Sequence, residues 1–227
     1  GCLRRRIAVR MRACGVSTFA DYGLRLRADS AEYDRLVEVL TINVTRLYRD
    51  AEVWDYLAEA VLPALWGRGD AAFTAWSAAC SSGEELYTIA ALLHRHATRL
   101  AQPGRLARAR VIGTDIDEPS LAAARRATYV DEQFTEMPAE LKSRYFGTVL
   151  SPTPATHGSS QRVAAPELRA MVRVERRDLL LESAPAAGLQ LICCRNVLIY
   201  FDRASQEPLL RRFHEALAPG GILVLGK

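Results

Sequence analysis

The run Arg195-Asn196-Val197-Leu198-Ile199-Tyr200-Phe201-Asp202 sets a guanidinium, an amide and a phenol just after an apolar stretch, Leu189-Gln190-Leu191-Ile192-Cys193-Cys194. The apolar stretch reads as a buried strand. A strand ending this way delivers polar groups to a sheet edge, and in parallel α/β sheets the carboxyl edge binds ligands. A second polar group lies far upstream, in Asn43-Val44-Thr45-Arg46-Leu47-Tyr48-Arg49-Asp50. Arg46 and Arg49 share a helix face if that helix begins early enough. Read alone, Asn43 and Thr45 fit a helix cap, and Arg49 fits a solvated face beside Asp50 or Glu52.

A third group, Trp76-Ser77-Ala78-Ala79-Cys80-Ser81-Ser82-Gly83-Glu84-Glu85, leads from a strand into a helix. Gly83 allows backbone to approach a ligand closely, and the helix start offers unpaired N–H groups. With one glycine and no Lys-Ser/Thr pair, the loop is not built for nucleotide phosphates. Glu84 and Glu85 would repel a phosphate and suit a cation such as an ammonium. Ser82-x-x-Glu85 also fits a capping box, so Glu85 reads equally as cap or ligand. Asp115 ends a second apolar run, where a carboxylate can accept both hydroxyls of a ribose. Asp117 is the alternative acid, or a helix cap.

Other chemistries find little support. His94, His96, His157 and His214 have no ligand spacing with cysteine or acid, so no metal is expected. No Gly-x-Ser-x-Gly element appears. Cys2, Cys14, Cys80, Cys193 and Cys194 are an odd set without metal-ligand spacing. Adjacent Cys193 and Cys194 on a strand point to opposite faces, which suits buried, reduced thiols. The formal charge of +4 is modest. Arg4, Arg5, Arg6, Arg10 and Arg12 all precede the first acid, Asp21. That basic helix reads as a solvated face or as a surface for an acidic partner. Without interleaved aromatic residues, single-stranded nucleic acid is not expected. No apolar run reaches the roughly 20 residues that span a bilayer, so membrane insertion is not expected. The N-terminus lacks a signal-peptide core, and the expected location is cytoplasmic.

These groups need elements to position them. Residues 3 to 40 read as short helices, broken at Gly15-Val16-Ser17, with Ser30 capping the third. A further helix starts at Asp50 and carries Val53, Trp54, Leu57, Ala60, Val61 and Leu65. From residue 72 the pattern alternates strand and helix: strands at Phe73–Ala78, Arg110–Thr114, Val172–Glu175, Leu189–Cys194 and Ile222–Leu225, with helices at Glu84–Leu100, Pro119–Ala127 and Arg203–Leu217. Such alternation implies a parallel sheet covered by helices, an α/β fold. The expected division is a helical domain with linker helix over 1–66 and an α/β domain over 72–227. Residues 146–170 interrupt the rhythm and read as a small β-subdomain or a mobile insertion.

The three polar groups together resemble the CheR-type chemotaxis-receptor glutamate O-methyltransferases, through nearly the whole chain. The resemblance implies an S-adenosylmethionine-dependent, Rossmann-like methyltransferase domain behind a small all-helical domain. The implied reaction is methylation of glutamate carboxylates on the cytoplasmic domain of methyl-accepting chemotaxis receptors, with S-adenosylhomocysteine as product. It matches Asn43, Thr45 and Arg49 to positions lining the cofactor, and Arg195 and Asn196 to positions near it. A glutamate of the pair Glu84 and Glu85 is matched to a ligand position, and Asp115 to the ribose acid. Asp178 and Leu179 stand where the family contacts adenine with Asn-Leu or a similar pair. Asp178 departs mildly, because a carboxylate accepts but cannot donate. The implied active-site pair is Arg49, orienting the incoming carboxylate, and Tyr200, beside the methyl donor. The rivals are a methyltransferase of another substrate and a non-catalytic module that senses the cofactor.

Overall fold

The computed structural model describes residues 2–40, 45–69, 72–149 and 160–226. Three helices come first: Cys2–Ala13, Phe19–Ala28 and Ser30–Leu40. They enclose a small core of Met11, Tyr22 and Leu36, with Ile7, Leu26 and Leu40 packed against it. Ser30 is not the cap of the third helix. Asp29 is, its Oδ1 accepting the Glu32 N–H at 3.1 Å. Two of the N-terminal arginines are also not at an open surface. Arg10 binds the buried Glu32 through both carboxylate oxygens, at 3.0 and 2.5 Å. Arg6 donates to the Val39 carbonyl at 2.9 Å. Both bonds tie the first helix to the third, while Arg4 and Arg12 are exposed.

The helix after Asp50 runs Ala51–Trp66, with a π-helical stretch at Leu57–Val61. Its Trp54, Leu57, Leu62, Leu65 and Trp66 share one core with Phe73, Leu86, Ile89 and Leu93. This helix therefore packs with the sheet, not with the three helices before it. The separate helical unit ends near residue 40, earlier than the expected boundary of 66–72.

Five strands form a parallel sheet: β1 (Thr74–Ala78), β2 (Arg110–Asp115), β6 (Val172–Arg176), β7 (Leu189–Cys194) and β8 (Leu217–Leu225). Their order is β6-β2-β1-β7-β8. The chain winds outward from β1 through β2 to β6, then returns to the far side of β1 as β7. The crevice between β1 and β7 is thus the switch point, where open α/β sheets bind ligands. Both faces are covered, as a parallel sheet requires. Leu191 and Cys193 face one core; Ile192 and Cys194 face the other, with Trp76, Leu209 and Phe213. The helix Glu84–Arg99 lies directly on β2. A Cβ at Gly113 would sit 2.7 Å from the Leu86 Cδ2, so any larger residue would force Leu86 to shift.

A second, antiparallel sheet has the order β3-β5-β4, from β3 (Thr128–Val130), β4 (Phe146–Val149) and β5 (Gln161–Ala164). It begins upstream of the interval 146–170. A 3₁₀ turn, Asp131–Phe134, and a helix, Ala139–Tyr145, connect β3 to β4. Among the described residues, no helix is long and apolar enough to cross a membrane.

Candidate active site

The carboxyl ends of β1, β2, β6 and β7 open into a cleft of about 520 Å³. Thr45, Arg49, Glu85, Asp115, Asp178, Leu179, Arg195, Asn196 and Tyr200 all line it. Asn43 lies outside the described residues. Glu84 does not line the cleft. It is fully buried behind the loop, where its carboxylate accepts from Ser82 Oγ at 2.8 Å and Gln133 Nε2 at 2.6 Å.

The loop after β1 explains the split between the two glutamates. Gly83 is the N-cap, with φ 92°, and no side chain caps the helix. Ser82 therefore stands one residue before the cap, and no Ser82–Glu85 capping box forms. Gly83 has a packing role, since a Cβ there would meet the Ala124 Cβ at 2.9 Å. Successive residues on a helix point about 100° apart, so Glu84 and Glu85 face different surroundings. Glu85 turns to the cleft, its Oε1 accepting from Ser77 Oγ at 2.8 Å. Burial raises its pKa, opposed by the nearby Arg195, by the Ser77 hydrogen bond and by Arg49.

Asp115 closes the loop from below. Its Oδ2 accepts the Ser81 N–H at 2.8 Å and its Oδ1 the Asp117 N–H at 3.0 Å. Each oxygen keeps a further lone pair for a ligand hydroxyl. Burial raises the Asp115 pKa against those backbone bonds. Asp117, the alternative acid, is buried and accepts from Ser120 Oγ at 2.5 Å. Asp178 organises its own loop: its Oδ1 accepts the Leu180 N–H at 2.8 Å and the Leu181 N–H at 3.2 Å.

Residues 45–50 form a turn and not the start of a helix, so Arg46 and Arg49 do not share a helix face. Tyr48 and Asp50 both have positive φ, 62° and 61°. Neighbours hold this strained backbone. The Leu47 N–H donates to the Gln133 carbonyl at 2.9 Å, and the Tyr48 N–H to Thr88 Oγ1 at 3.1 Å. Arg195 reaches across from the end of β7. Its Nη2 donates to the Arg49 carbonyl at 3.0 Å and to Asp50 Oδ2 at 2.6 Å. Its Nη1 lies 3.7 Å from Glu85 Oε2, and its guanidinium sits 5.0 Å from the Trp54 ring centre. Asn196 follows with φ 57°. Tyr200, half exposed, ends a 3₁₀ turn at the rim.

Three buried polar atoms of residues lining this cleft have no partner among the described residues: Ser81 Oγ, Arg177 Nε and Arg195 Nε. Buried polar groups are rarely left so, and such atoms are open to a polar ligand or to water. Residues 43–227 match the S-adenosylmethionine-binding domain of CheR methyltransferases, and residues 1–41 match the CheR all-alpha domain. The chain belongs to the CheR methyltransferase family. It is 37% identical to a chemotaxis protein methyltransferase of Salmonella typhimurium, over 97% of this chain and 73% of that protein. It is 34% identical to chemotaxis protein methyltransferase 2 of Pseudomonas aeruginosa, over 97% and 75%. With the Listeria monocytogenes chemotaxis protein methyltransferase it shares 31%, over 92% and 73%.

The cleft fits the cofactor of a CheR enzyme. It offers acceptors at Asp115 and Glu85, a donor at Arg195 Nε without a partner among the described residues, and an apolar wall at Leu179. Sequence reasoning missed part of the lining. Tyr33, Val37 and Leu40 of the third helix form one side. Their spacing of four and three marks one helix face, which read equally well as core. Ser77 and Trp54 were missed too, because a serine in a strand and a tryptophan in a helix carry no signature for holding a neighbour.

Proposed function

We propose that this chain transfers the methyl group of S-adenosylmethionine to glutamate side chains on the cytoplasmic domains of methyl-accepting chemotaxis receptors. The products are glutamate methyl esters and S-adenosylhomocysteine, and the reaction takes place in the cytoplasm. One observation carries this reading: Arg49, from the turn before the sheet, and Tyr200, from its edge, line the same cleft as Asp115 and Glu85.

The bound cofactor supplies an electrophilic methyl on a sulfonium. The chain's residues do the rest. Asp115 receives the ribose hydroxyls, Glu85 the ammonium, and Arg195 Nε the carboxylate of the methionine moiety. Leu179 and Asp178 border the adenine, while Thr45 and Asn196 complete the wall. The acceptor glutamate is already ionised at neutral pH, so no general base is required. Arg49 orients that carboxylate through its forked donors. An ion pair held too tightly would weaken the nucleophile, so its contribution is alignment. Tyr200 supplies a wall and a phenolic hydrogen bond beside the reacting methyl. Charge is neutralised as the bond forms, and a dry pocket favours that step.

Incubation with methyl-labelled S-adenosylmethionine and receptor, followed by mild alkali, tests the reading. Methyl esters release volatile labelled methanol. Label that stays on the receptor after alkali would point to another acceptor atom, and no incorporation would point to a sensing module.

A further inference from the structure

The turn that carries Arg49 is held from two sides. Arg195 grips the Arg49 carbonyl and the Asp50 carboxylate from the end of β7. On the opposite side stands Glu136. Its Oε2 accepts the Asp50 N–H at 2.7 Å, and its Oε1 accepts from Arg46 Nη1 at 3.2 Å. One carboxylate thus spans the turn from Arg46 to Asp50, with Arg49 between. We propose that Glu136 is a positioning residue for methyl transfer, fixing the turn so that Arg49 meets the acceptor carboxylate; this rests on the Arg49 role proposed above.

Three features support the assignment. First, the turn cannot hold itself. The left-handed region is unfavourable for most non-glycine residues, and both Tyr48 and Asp50 are there. The Asp50 N–H–Glu136 bond is made at one of those two strained residues. Second, Glu136 is itself held firmly. It lies between buried Phe134 and Met137, and the Met137 N–H donates to the Phe134 carbonyl at 3.1 Å. Phe134 packs edge-on against Phe146 of β4, ring centres 5.0 Å apart. Third, the same connection is anchored again through Gln133. Its carbonyl accepts the Leu47 N–H at 2.9 Å and its Nε2 donates to Glu84 at 2.6 Å. The segment between β3 and β4 thereby joins the small antiparallel sheet to the wall of the cleft. A carboxylate bonded to backbone N–H is among the stronger hydrogen bonds.

Glu136→Ala and Glu136→Gln test this. The amide of the second variant keeps an acceptor for the Asp50 N–H and loses only the charge facing Arg46. The first readout needs no turnover. The Trp54 indole N–H donates to the Arg49 carbonyl at 2.8 Å, so its hydrogen exchange reports on the turn. Glu136→Ala should speed that exchange with the unfolding midpoint nearly unchanged, and Glu136→Gln should restore it. The second readout is the single-turnover rate with receptor and cofactor saturating. Glu136→Ala should slow it by about ten- to a hundredfold, the scale of a small misplacement, with cofactor affinity barely altered. Glu136→Gln should recover most of the rate. Wild-type exchange of the Trp54 indole in Glu136→Ala overturns the proposal, as does a wild-type turnover rate. So does an equal loss in both variants, because charge and not the backbone bond would then be responsible. If wild-type protein esterifies no glutamate, the functional reading fails, and the indole exchange still decides whether Glu136 holds the turn.

Discussion

Two glutamates, Glu32 buried and Glu85 half-buried, each beside an arginine, behave in opposite ways. In the helical unit, Glu32 takes both forks of Arg10 and the Tyr22 hydroxyl at 2.8 Å. Those bonds hold its pKa down at about 2, Arg10 being the main cause. In the cleft, Glu85 has Ser77 as its hydrogen-bond partner, while Arg195 stands 3.7 Å away and bonds elsewhere, to Asp50 and Arg49. There burial prevails and the pKa rises. The first network closes on itself and fixes the shape of three helices. Among the described residues, the second leaves polar valence open at Arg195 Nε and Ser81 Oγ, beside a carboxylate that gains from a cation. An incompletely satisfied polar site in a crevice points to a ligand; a completed one points to structure.

The sharpest break in this comparison should come from Arg49→Ala. Methyl transfer is expected to fall about 10²- to 10³-fold, with cofactor affinity changing far less. Single-turnover kinetics beside calorimetric titration give the two numbers, and normal turnover would remove Arg49 from the reaction. Next in size is Arg10→Ala. It strands Glu32 and should cost about 2–3 kcal/mol of stability, while a variant of the cleft leaves the helical unit intact. The pH sign follows from the depressed pKa. Stabilisation by Glu32 is full above its ordinary value of 4.5 and is lost as pH falls toward about 2. The stability gap between wild type and Arg10→Ala should therefore close across that window in denaturant titrations. A gap independent of pH would mean that Arg10 acts by packing alone.

Asp115→Asn should weaken S-adenosylmethionine by about 1–3 kcal/mol, as a charged acceptor becomes a neutral amide. Titration calorimetry on the folded variant checks it, and unchanged affinity would take the ribose role from Asp115. The smallest effect is expected for Tyr200→Phe, about 1 kcal/mol in the turnover barrier. That change deletes a hydroxyl and keeps the ring, so a wild-type rate would reduce Tyr200 to a wall.

The sheet was legible because its strands are apolar runs with clear boundaries, and β7 has the bounds read from sequence. Strand β8 begins earlier than expected. A register shift between Leu189 and Leu191 lets Leu217 pair before the Pro219-Gly220-Gly221 interruption. Asp115 and Glu85 were readable as groups facing one cleft from their places at strand end and helix start. The separation of Glu85 from Glu84 was not, because it turns on where the helix begins, and Gly83 sets that by its left-handed conformation. The turn at 45–50 was illegible for a related reason. Tyr48 and Asp50 adopt conformations their types disfavour, and the groups that enforce them, Thr88, Gln133, Glu136 and Arg195, are distant in sequence. The N-terminal arginines misled in the other direction: charge composition suggested a surface, but Arg6 and Arg10 bond within the helical unit.

The π-helical stretch at Leu57–Val61 has a consequence for chain length. A π turn spans one residue more than an α turn, so this helix holds one residue beyond regular winding. Trp54, beneath Arg195, lies before the stretch; Leu65 and Trp66, packed toward Phe73, lie after it. Deleting one residue there would turn the wide turn into an ordinary α turn and leave the two halves nearly in phase, so Trp54 and Trp66 would keep their neighbours. A deletion in the α-helical parts on either side would instead turn one half against the other by about 100°. The spacing between the two tryptophans thus tolerates the loss of one residue at the π stretch and of none beside it.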